Sequence, residues 1–483
     1  MWPLGLCITA FVVVSITHWV YKWRNPKGNG NLPPGSMGWP LFGESLQFFA
    51  PNQTWDTPPF IKDRIKRYGS IFRTSIVGLR VIVSTDPDLN YMVLQQEGQR
   101  FESWYPESLT KIFGSQNLGS LHGNLFKYLK NMVLTIVGPE SLKKTLLEVE
   151  SVATKSIEGW ACKETVELKT ACSDMIFDLM GKKLISYDQA KSTENLRENF
   201  EAFIGGLISF PLGIPGTAYH KCLQGRKKVM MVLKNMLEER RHKPNMVKND
   251  FFDYVLEELK QNNTTLTEEI ALDLMFVLLF ASFETISQAI IVAIKLLTDN
   301  PRALKELTDE HMTILRKREN PDSGLTWEEY KTMTFTFQII NETLRLANIV
   351  PGVFRKVLTD IKFKDYTIPS GWVVMVCPPA VHLDPTNYKD PLDFDPWRWE
   401  ELGLTAASKT FMAFGGGMRF CVGADFARVQ MSTFLHCLVT KYRWQTIKGG
   451  EIVRTPGLQF PNGFHVKFFK KDKQIQDPKS EYR

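Results

Sequence analysis

The ten residues at positions 414–423, FGGGMRFCVG, constrain the fold of this 483-residue chain more than any other stretch. Three consecutive glycines let the backbone lie flat and turn N–H groups toward the side chain of Cys421. A helix is predicted to follow from about Ala424 to Lys441, and the positive end of its dipole favours a thiolate over a thiol. A single cysteine beside a glycine-rich turn is ordinarily an inert core residue. Here the full spacing Phe-x-x-Gly-x-Arg-x-Cys-x-Gly indicates a thiolate that binds a metal.

The side chains around Cys421 indicate that this metal is the iron of a haem. Arg419 supplies a fixed fork of N–H groups that suits a propionate carboxylate, and Phe414 can cover the sulfur from water. A thiolate axial ligand pushes electron density onto iron and favours cleavage of an O–O bond. We therefore predict haem b as the cofactor, with Cys421 as the axial ligand of its iron and O2 as a co-substrate.

This stretch resembles the haem-binding loop of the cytochromes P-450, and the resemblance extends over essentially the whole chain. It implies a mainly α fold, in which a helical domain with small β-sheets and a buried haem is joined to one N-terminal transmembrane helix. It also implies a monooxygenase that inserts one atom of O2 into an unactivated C–H bond. The electrons would come from NADPH through a separate partner, NADPH-cytochrome P-450 reductase, because we find no flavin or nicotinamide segment in the sequence.

Composition excludes several other classes of protein. Hydrophobic residues make up 43% of the chain and allow a large core, and the net charge of +7 comes without basic blocks interleaved with aromatic residues. Nucleic acid is therefore not an expected partner. The seven cysteines show no paired spacing, so they predict neither a disulfide framework nor a zinc site and fit a reducing compartment.

The N-terminus predicts a membrane anchor at residues 1–20, because positions 2–20 are almost entirely apolar and long enough to span about 30 Å of hydrocarbon. A cleaved signal peptide is the competing interpretation, but no basic segment precedes the stretch and no small-residue cleavage site follows it. Lys22, Arg24 and Lys27 come directly after it. By the positive-inside rule, we expect a single-pass protein of the endoplasmic reticulum membrane whose catalytic domain faces the cytosol.

Residues 21–44 form a basic and Pro/Gly-rich hinge, in which prolines and glycines favour a stiff extended path off the membrane. A flexible linker without function has the same composition, although the hinge of membrane-bound P-450s is similar. Residues 45–483 are expected to form the haem-thiolate catalytic domain. Near its start, alternating apolar residues predict a hairpin that turns at Gly78.

A long apolar helix is predicted to cross this domain. Thr265 and Glu268 form a capping-box pattern at its start, and Asn300 followed by Pro301 ends it. Nearly every residue at 271–294 is apolar, so the helix should be buried on all sides.

An acid and an alcohol, Glu284 and Thr285, interrupt this apolar helix, and a buried carboxylate is costly unless it has a partner or a task. In P-450s a similar pair relays protons to dioxygen, which implies the same catalytic role here. A threonine inside a helix can also simply donate to the carbonyl four residues earlier, here that of Ala281. Ser282 stands where P-450s commonly have glycine, so it is expected to narrow the groove or to add a hydrogen-bond donor.

Three further cationic residues are similar in position to P-450 residues that bind the haem propionates: Lys127, Lys130 and Arg355. Lys127 and Lys130 lie on one face of a helix predicted at 121–130, but P-450s usually carry arginine at the second position. A solvated basic face would have the same pattern. Lys127, Lys130 and Arg428 could also form a docking patch for the reductase, with scattered solubilising charges as the alternative.

Glu342 and Arg345 lie three residues apart and can pair on a helix. Alone, such a pair is ordinarily a surface ion pair. In P-450s, however, an arginine in the position of Arg398 completes a buried triad that locks the core behind the haem. Because removing one member of a buried ion cluster leaves the others unpaired, we expect these three residues to be structural.

The predicted substrate pocket is apolar, which suits a large rigid hydrocarbon. Four candidates recur at helical spacing on the long helix and two follow a later helix: Phe276, Leu279, Phe280, Phe283, Val350 and Val353. Residues 207–220 resemble the loop that dips into the bilayer beside the substrate entrance in membrane-bound P-450s, although an ordinary buried connection has the same composition. A C-terminal hairpin turning near Asn462 and Gly463 should present Gly457 and Leu458 to the pocket.

Three stretches, PPGSMGWPLFGES, FASFETIS and FMAFGGGMRFC, resemble the plant P-450s that oxidise sterols, triterpenoids and terpenoid hormones. The members that act on sterols and triterpenoids are the most similar. The resemblance implies hydroxylation of a phytosterol or triterpenoid, in one step or in successive steps that include side-chain oxidation or cleavage. A diterpenoid or terpenoid-hormone oxidase is the alternative within this class. Two alternatives lie outside this class: a reductase-independent haem-thiolate isomerase or dehydratase, and a non-catalytic haem-binding membrane scaffold.

Overall fold

The computed structural model describes residues 2–189, 192, 195–207, 209, 211–243, 249–261, 263–320, 323–403, 408–455 and 457–471. Most of this part of the chain is helical, as predicted. The helices are α1 (Trp2–Arg24), α2 (Ser45–Phe48), α3 (Pro59–Tyr68), α4 (Pro87–Gln95), α5 (Glu107–Phe113), α6 (Gly123–Val137), α7 (Pro139–Ala161), α8 (Leu168–Ile185), α9 (Leu196–Leu207), α10 (Ala218–His242), α11 (Phe251–Lys260), α12 (Glu268–Asp299), α13 (Pro301–Arg316), α14 (Trp327–Lys331), α15 (Thr334–Ala347), α16 (Pro378–His382), α17 (Arg398–Leu402) and α18 (Ala424–Lys441).

The strands form small sheets, which confirms the second part of the predicted fold class. They are β1 (Ile71–Ile76), β2 (Leu79–Ser84), β3 (Phe101–Ser103), β4 (Val166–Glu167), β5 (Val353–Val357), β6 (Ile361–Phe363), β7 (Tyr366–Ile368), β8 (Val373–Val376), β9 (Tyr442–Gly449), β10 (Val453–Arg454), β11 (Leu458–Gln459) and β12 (Phe464–Lys470). One sheet has the order β1-β2-β8-β5-β3, a second has the order β4-β12-β9, and two are simple pairs. In the five-stranded sheet only β2 and β8 are parallel.

Helix α12 lies in the core and packs against α8, α10, α15 and α18. It begins at Glu268, and its N-cap is Thr267, whose hydroxyl accepts a hydrogen bond from the N–H of Ile270 at 3.3 Å. The predicted capping box from Thr265 is therefore wrong by two residues. The helix ends where predicted, because Pro301 begins α13. The prediction that the helix is buried on all sides is also wrong, since one stripe of α12 borders a cavity.

Helix α1 is long and apolar enough to cross a membrane over Gly5–Arg24, and none of that window is buried. Helix α12 meets the same length and hydropathy test, but 56% of its window is buried inside the protein. The hinge after α1 packs against β1 instead of running free. The carbonyl of Pro34 accepts from the N–H of Arg73 at 2.8 Å, and that of Pro33 accepts from its guanidinium at 2.9 Å.

The two predicted hairpins have different outcomes. Strands β1 and β2 pair antiparallel around Val77 and Gly78, which have φ angles of 51° and 77°, so the turn at Gly78 is confirmed. The prediction of a C-terminal hairpin is wrong, because β11 pairs with β10 whereas β12 pairs with β9 and β4. The chain still turns at Gly463, whose N–H donates to the carbonyl of Phe460 at 3.0 Å, but this turn connects two separate sheets.

Candidate active site

The turn before α18 places Cys421 at the N-terminus of that helix, as predicted. Gly417 has a φ of 62°, and a Cβ atom there would lie 2.1 Å from the carbonyl oxygen of Leu94, so glycine lets this loop pass close to the end of α4. The N–H of Cys421 donates to the carbonyl of Phe414 at 3.0 Å, which closes the loop.

Cys421 combines an accessible side chain with a strongly desolvated thiol. Desolvation raises the pKa of this thiol, whereas a hydrogen bond from the N–H of Gly423 and the charge of Lys130 lower it. Both properties together are those expected of a side chain that faces a space enclosed by the protein. The helix end alone does not make Cys421 a thiolate; binding to a metal cation would deprotonate it.

The lysines of α6 and Arg428 differ in their contacts. Lys130 Nζ donates to the carbonyl of Met418 at 2.8 Å, inside the Cys421 loop. Lys127 is exposed. Arg428 lies 3.3 Å from Asp425 and 5.1 Å from the ring centre of Phe414. Lys130 therefore braces the cysteine loop, while the role of Lys127 as a propionate ligand stays a prediction.

Arg355 and Arg419 lie on either side of one buried carboxylate, that of Glu97. Arg419 Nε donates to Glu97 Oε1 at 2.9 Å, and Arg355 Nε lies 3.2 Å from Oε2. A ring nitrogen of His122 lies 3.6 Å from the same carboxylate. Sequence reasoning missed Glu97, because nothing in its local pattern marks it and Arg419 is 322 residues away along the chain.

These residues fit a haem. Cys421 offers a free and accessible sulfur ligand. The buried guanidiniums of Arg355 and Arg419 place positive charge where propionate carboxylates would need it. The donor set is thus that of a thiolate-ligated iron porphyrin.

A cavity of about 1040 Å³ borders one stripe of α12. The stripe consists of residues at helical spacing: Val277, Phe280, Ala281, Phe283, Glu284, Thr285 and Gln288. The predicted acid and alcohol therefore share one wall. Gln288 was missed, although a polar residue one turn after Glu284 in an apolar helix was a usable signal.

The polar side chains of this stripe differ in their hydrogen bonds and in their charge environment. Burial raises the pKa of Glu284, and the charge of Lys169 lowers it in part. Gln288 Nε2 lies 3.5 Å from Glu284 Oε1 and donates to the carbonyl of Leu458 at 3.3 Å. The hydroxyl of Thr285 donates to the carbonyl of Ala281 at 3.0 Å, which is the helix-internal bond left open as an alternative.

Ser282 has a different position from the one expected. Its hydroxyl donates to the carbonyl of Leu279 at 3.0 Å, and its side chain lies outside the lining of the cavity. The prediction that Ser282 narrows the groove is therefore wrong in this structure.

Half of the predicted pocket residues line the cavity, namely Phe280, Phe283 and Val350. The prediction is wrong for the other half. Phe276 is buried against Phe200 and Phe203, with ring centres 5.2 and 5.0 Å apart. Leu279 is also fully buried, and Val353 packs against the core under the five-stranded sheet. Of the three aromatic residues of α12, Phe280 and Phe283 border the cavity and Phe276 belongs to the core.

The wall is also more polar than expected. Asn117, Lys169 and Arg197 line the cavity together with apolar residues, so hydrogen-bond donors are present. The predicted residues Gly457 and Leu458 do line it.

The cavity reaches the segment 207–220, where Leu207, Ser209 and Pro211 contribute to its lining. Leu212 and Ile214 are exposed. Ile208 and Phe210 belong to the same predicted loop but lie outside the described residues. This segment therefore borders the cavity, and its insertion into a bilayer stays a prediction.

The predicted triad is present. Arg345 donates twice to the carboxylate of Glu342, at 2.9 and 2.7 Å, and Arg398 Nε donates at 3.1 Å. Two further donors were missed, the indole N–H of Trp399 at 3.0 Å and the N–H of Asp395 at 3.0 Å. This cluster ties α15 to the segment before α17.

Comparisons with known proteins agree with this geometry. Cytochrome P450 87A3 of Oryza sativa subsp. japonica is 58% identical over 97% of this chain and 91% of its own length. A beta-amyrin 16-alpha-hydroxylase of Maesa lanceolata is 42% identical, and a cucurbitadienol 11-hydroxylase of Siraitia grosvenorii is 40% identical; each match covers 98% of this chain and 100% of the relative.

A solved structure, retinoic acid bound cyanobacterial CYP120A1, superposes with a TM-score of 0.81 at 27% identity. The match covers 92% of this chain and 100% of that one. Residues 33–468 match the family model described as Cytochrome P450. This chain therefore belongs to the cytochrome P450 family and is a monooxygenase.

Proposed function

We propose that this protein is a membrane-bound haem-thiolate monooxygenase that hydroxylates a phytosterol or triterpenoid skeleton with O2 and electrons from NADPH. The observation that carries the proposal is the cavity of about 1040 Å³ beside Glu284 and Thr285. Its size lies at the upper end for small-molecule sites, which suits a tetracyclic or pentacyclic skeleton. The relatives named as hydroxylases of beta-amyrin and cucurbitadienol support the same class of substrate.

Binding of such a skeleton would come mainly from buried apolar area. Phe280, Phe283, Ile349 and Val350 line the cavity, and each square ångström of apolar surface removed from water contributes ~25 cal/mol. A cationic donor on the wall, such as Lys169, could hold a hydroxyl or carboxyl group on the skeleton. A small phenolic or amino acid would bury too little apolar surface to bind well.

The haem, when bound, supplies the activation of O2 through its thiolate-ligated iron. The residues of α12 supply protons to this chemistry. Because burial raises the pKa of Glu284, its carboxyl keeps a proton to higher pH than an ordinary glutamate. The hydroxyl of Thr285 donates a hydrogen bond to the carbonyl of Ala281. Its oxygen lone pairs therefore stay free to accept a hydrogen bond from a proton donor in the cavity.

The membrane location and the electron source belong to the same proposal. The apolar α1 would anchor the protein in the endoplasmic reticulum membrane with the catalytic domain in the cytosol. Exposed Trp39, Leu41, Leu212 and Ile214 would suit a domain that rests against lipid. NADPH-cytochrome P-450 reductase would deliver the electrons, with Lys127 as an exposed cation of the predicted docking patch.

The test is a substrate panel in membranes that contain this protein, a plant reductase and NADPH. Sterols, triterpenes, a diterpene, fatty acids and cinnamate-type acids are offered in parallel, and products are identified by mass spectrometry. We expect a sterol or triterpene to gain oxygen and the fatty acids and cinnamates to stay unconverted. Conversion of the diterpene alone would select a diterpenoid oxidase, and turnover without NADPH would select an isomerase or dehydratase.

The matched control is Cys421→His. This variant should keep some haem but lose both turnover and the red-shifted carbon monoxide band of the reduced protein, because the thiolate ligand is absent. Survival of that band would mean that another cysteine is the ligand. If no compound on the panel is converted although the wild-type band is normal, the substrate class is wrong.

A further inference from the structure

Glu97 lies at the centre of a buried charge cluster that the proposed proton chemistry does not use. Its side chain is 1% exposed, and those of Arg355 and Arg419 are 4% and 7% exposed. Glu97 Oε1 accepts hydrogen bonds from Arg419 Nε at 2.9 Å and from the N–H of Ser103 at 3.0 Å. The carboxylate therefore joins the segment after α4 to β3, to β5 and to the loop that carries Cys421.

The two arginines depend on this carboxylate to lie side by side. Arg419 Nε donates to Glu97 Oε1 at 2.9 Å, and Arg355 Nε lies 3.2 Å from Oε2, so both guanidiniums contact the same carboxylate. Two buried guanidiniums without a shared anion would repel each other, and removing one partner of a buried ion pair is strongly destabilising. Glu97 thus holds in place the two residues that were predicted to meet the haem.

The cluster has one positive charge in excess, since two guanidiniums face one carboxylate. His122, the other titratable group near Glu97, adds no charge when neutral. A buried excess charge is costly unless an anion completes it. The cluster is therefore built to receive one more anionic group.

The two arginines are not equally available to that group. Arg419 uses Nε for Glu97, Nη1 for the carbonyl of Leu118 at 3.0 Å and Nη2 for the carbonyl of Leu121 at 2.5 Å. Arg355 Nη1 donates to the carbonyl of Phe354 at 2.8 Å, and within the described residues its Nη2 has no hydrogen-bond acceptor. Arg355 thus keeps a donor that Arg419 has largely committed.

We propose that Glu97 is a positioning residue for haem binding, which fixes both arginines and leaves Arg355 as the main donor to a haem carboxylate. Arg419 then acts chiefly as a strut between Glu97 and the segment at 118–121. This assignment differs from the predicted use of Arg419 as the propionate fork. It rests on haem binding, which the family implies, and not on the proposed substrate.

The test compares Glu97→Gln with a matched control, Glu102→Gln, in the full-length protein without substrate. Glu102 lies on β3, the strand whose Ser103 contacts Glu97, and it pairs with Lys356 of β5 at 3.5 Å, so it reports the effect of losing an ordinary cross-strand ion pair. Haem release is followed by transfer to apomyoglobin, and the midpoint potential by redox titration.

We expect Glu97→Gln to release haem about ten-fold faster, since loss of such a supporting partner typically weakens a metal site by about 10–100-fold. Its potential should shift to a more positive value, because one negative charge near the iron is removed. Glu102→Gln should change neither quantity. Haem release and potential that match those of Glu102→Gln would overturn the proposal.

Two lysine variants separate the roles of the arginines. Arg355→Lys should speed haem release more than Arg419→Lys, whereas Arg419→Lys should lower the thermal midpoint more. The reverse order would show that Arg419 is the main carboxylate donor. If Glu97→Gln does not fold, Glu97→Asp keeps the charge but reaches less far, and we expect it to fold with faster haem release. Failure of both Glu97 variants to fold would mean that Glu97 serves folding alone.

Discussion

Two buried glutamates, Glu342 on α15 and Glu284 on α12, have opposite surroundings. The Glu342 carboxylate accepts hydrogen bonds from side chains and backbone on every side: from Arg345, Arg398, Trp399 and Asp395. Glu284 has one weak side-chain partner among the described residues, the Gln288 amide at 3.5 Å, and it faces the cavity. In the sequence, Glu284 stood out as an acid in an apolar helix, whereas Glu342 was marked by Arg345 three residues later.

The difference separates a structural acid from a chemical one. The Glu342 carboxylate is committed to two guanidiniums and two further N–H donors, so it holds structural elements together. Burial without a cationic partner in contact raises the pKa of Glu284, so that acid can change its protonation state at the cavity wall. The same residue type therefore serves the scaffold in one place and the reaction in the other.

Removing the charge of Glu342 should have the largest effect. Glu342→Gln leaves Arg345 and Arg398 without a buried anion, and breaking such a cluster costs about 3–5 kcal/mol of unfolding free energy. We expect little or no protein with a carbon monoxide band, measured as spectral yield per unit of expressed chain. Glu401→Gln on the exposed side of α17 is the control and should leave the yield unchanged. A normal yield for Glu342→Gln would remove the distinction between the two acids.

Thr285→Ala probes the chemical side of the comparison without changing charge. We expect substrate binding to stay nearly intact while product per NADPH falls about ten-fold or more and hydrogen peroxide rises, because positioned proton transfer contributes about 10²–10⁴-fold. The control is Thr313→Ala, which removes the same kind of bond to the carbonyl four residues earlier at an exposed position of α13. Unchanged product per NADPH would move the proton role to water or another group.

The sequence predicted those parts of the site whose residues lie close together in the chain. Cys421 and the helix after it form one local unit, and its spacing was sufficient to place the sulfur. The Glu342 triad needed one distant residue, Arg398, which the family resemblance supplied.

What could not be predicted depends on contacts between distant segments. Glu97 meets Arg419 across 322 residues, and a single sequence carries no sign of such a pair. The side of α12 that faces the cavity was predicted incorrectly for another reason. Phe276 has the same spacing as cavity residues, and only its packing against Phe200 and Phe203 of α9 decides that it belongs to the core.

Glu284→Gln should have a smaller effect on stability, of opposite sign to that of Glu342→Gln. The pKa of Glu284 in the folded protein is raised above its usual 4.5, so the unfolded chain loses this proton at lower pH than the folded one. Wild-type stability therefore falls as pH rises from about the unfolded value to the raised folded value. The glutamine variant lacks this loss, so its thermal midpoint should exceed that of wild type by a margin that grows over this window and then stays constant.

The control for Glu284→Gln is Glu269→Gln, an exposed acid in the first turn of the same helix. It should show no such pH-dependent margin. A glutamine variant at 284 that is less stable than wild type at neutral pH would mean that Glu284 is paired like Glu342, and the comparison would fail.

Ser282→Gly should have the smallest effect, and it tests which residues of α12 take part in proton transfer. Its hydroxyl donates to the Leu279 carbonyl within the helix and lies outside the cavity lining, so removing it should leave product per NADPH unchanged. Stability should fall by about 0.5–1 kcal/mol, the cost of glycine inside a helix. Ser282→Ala keeps the helix propensity and removes only the hydroxyl, so it should restore most of the lost thermal midpoint. Ser282 is three residues from Thr285, so a changed ratio of product to NADPH in both variants would place the Ser282 hydroxyl in the proton path. The reactive stripe of α12 would then extend beyond the residues that border the cavity.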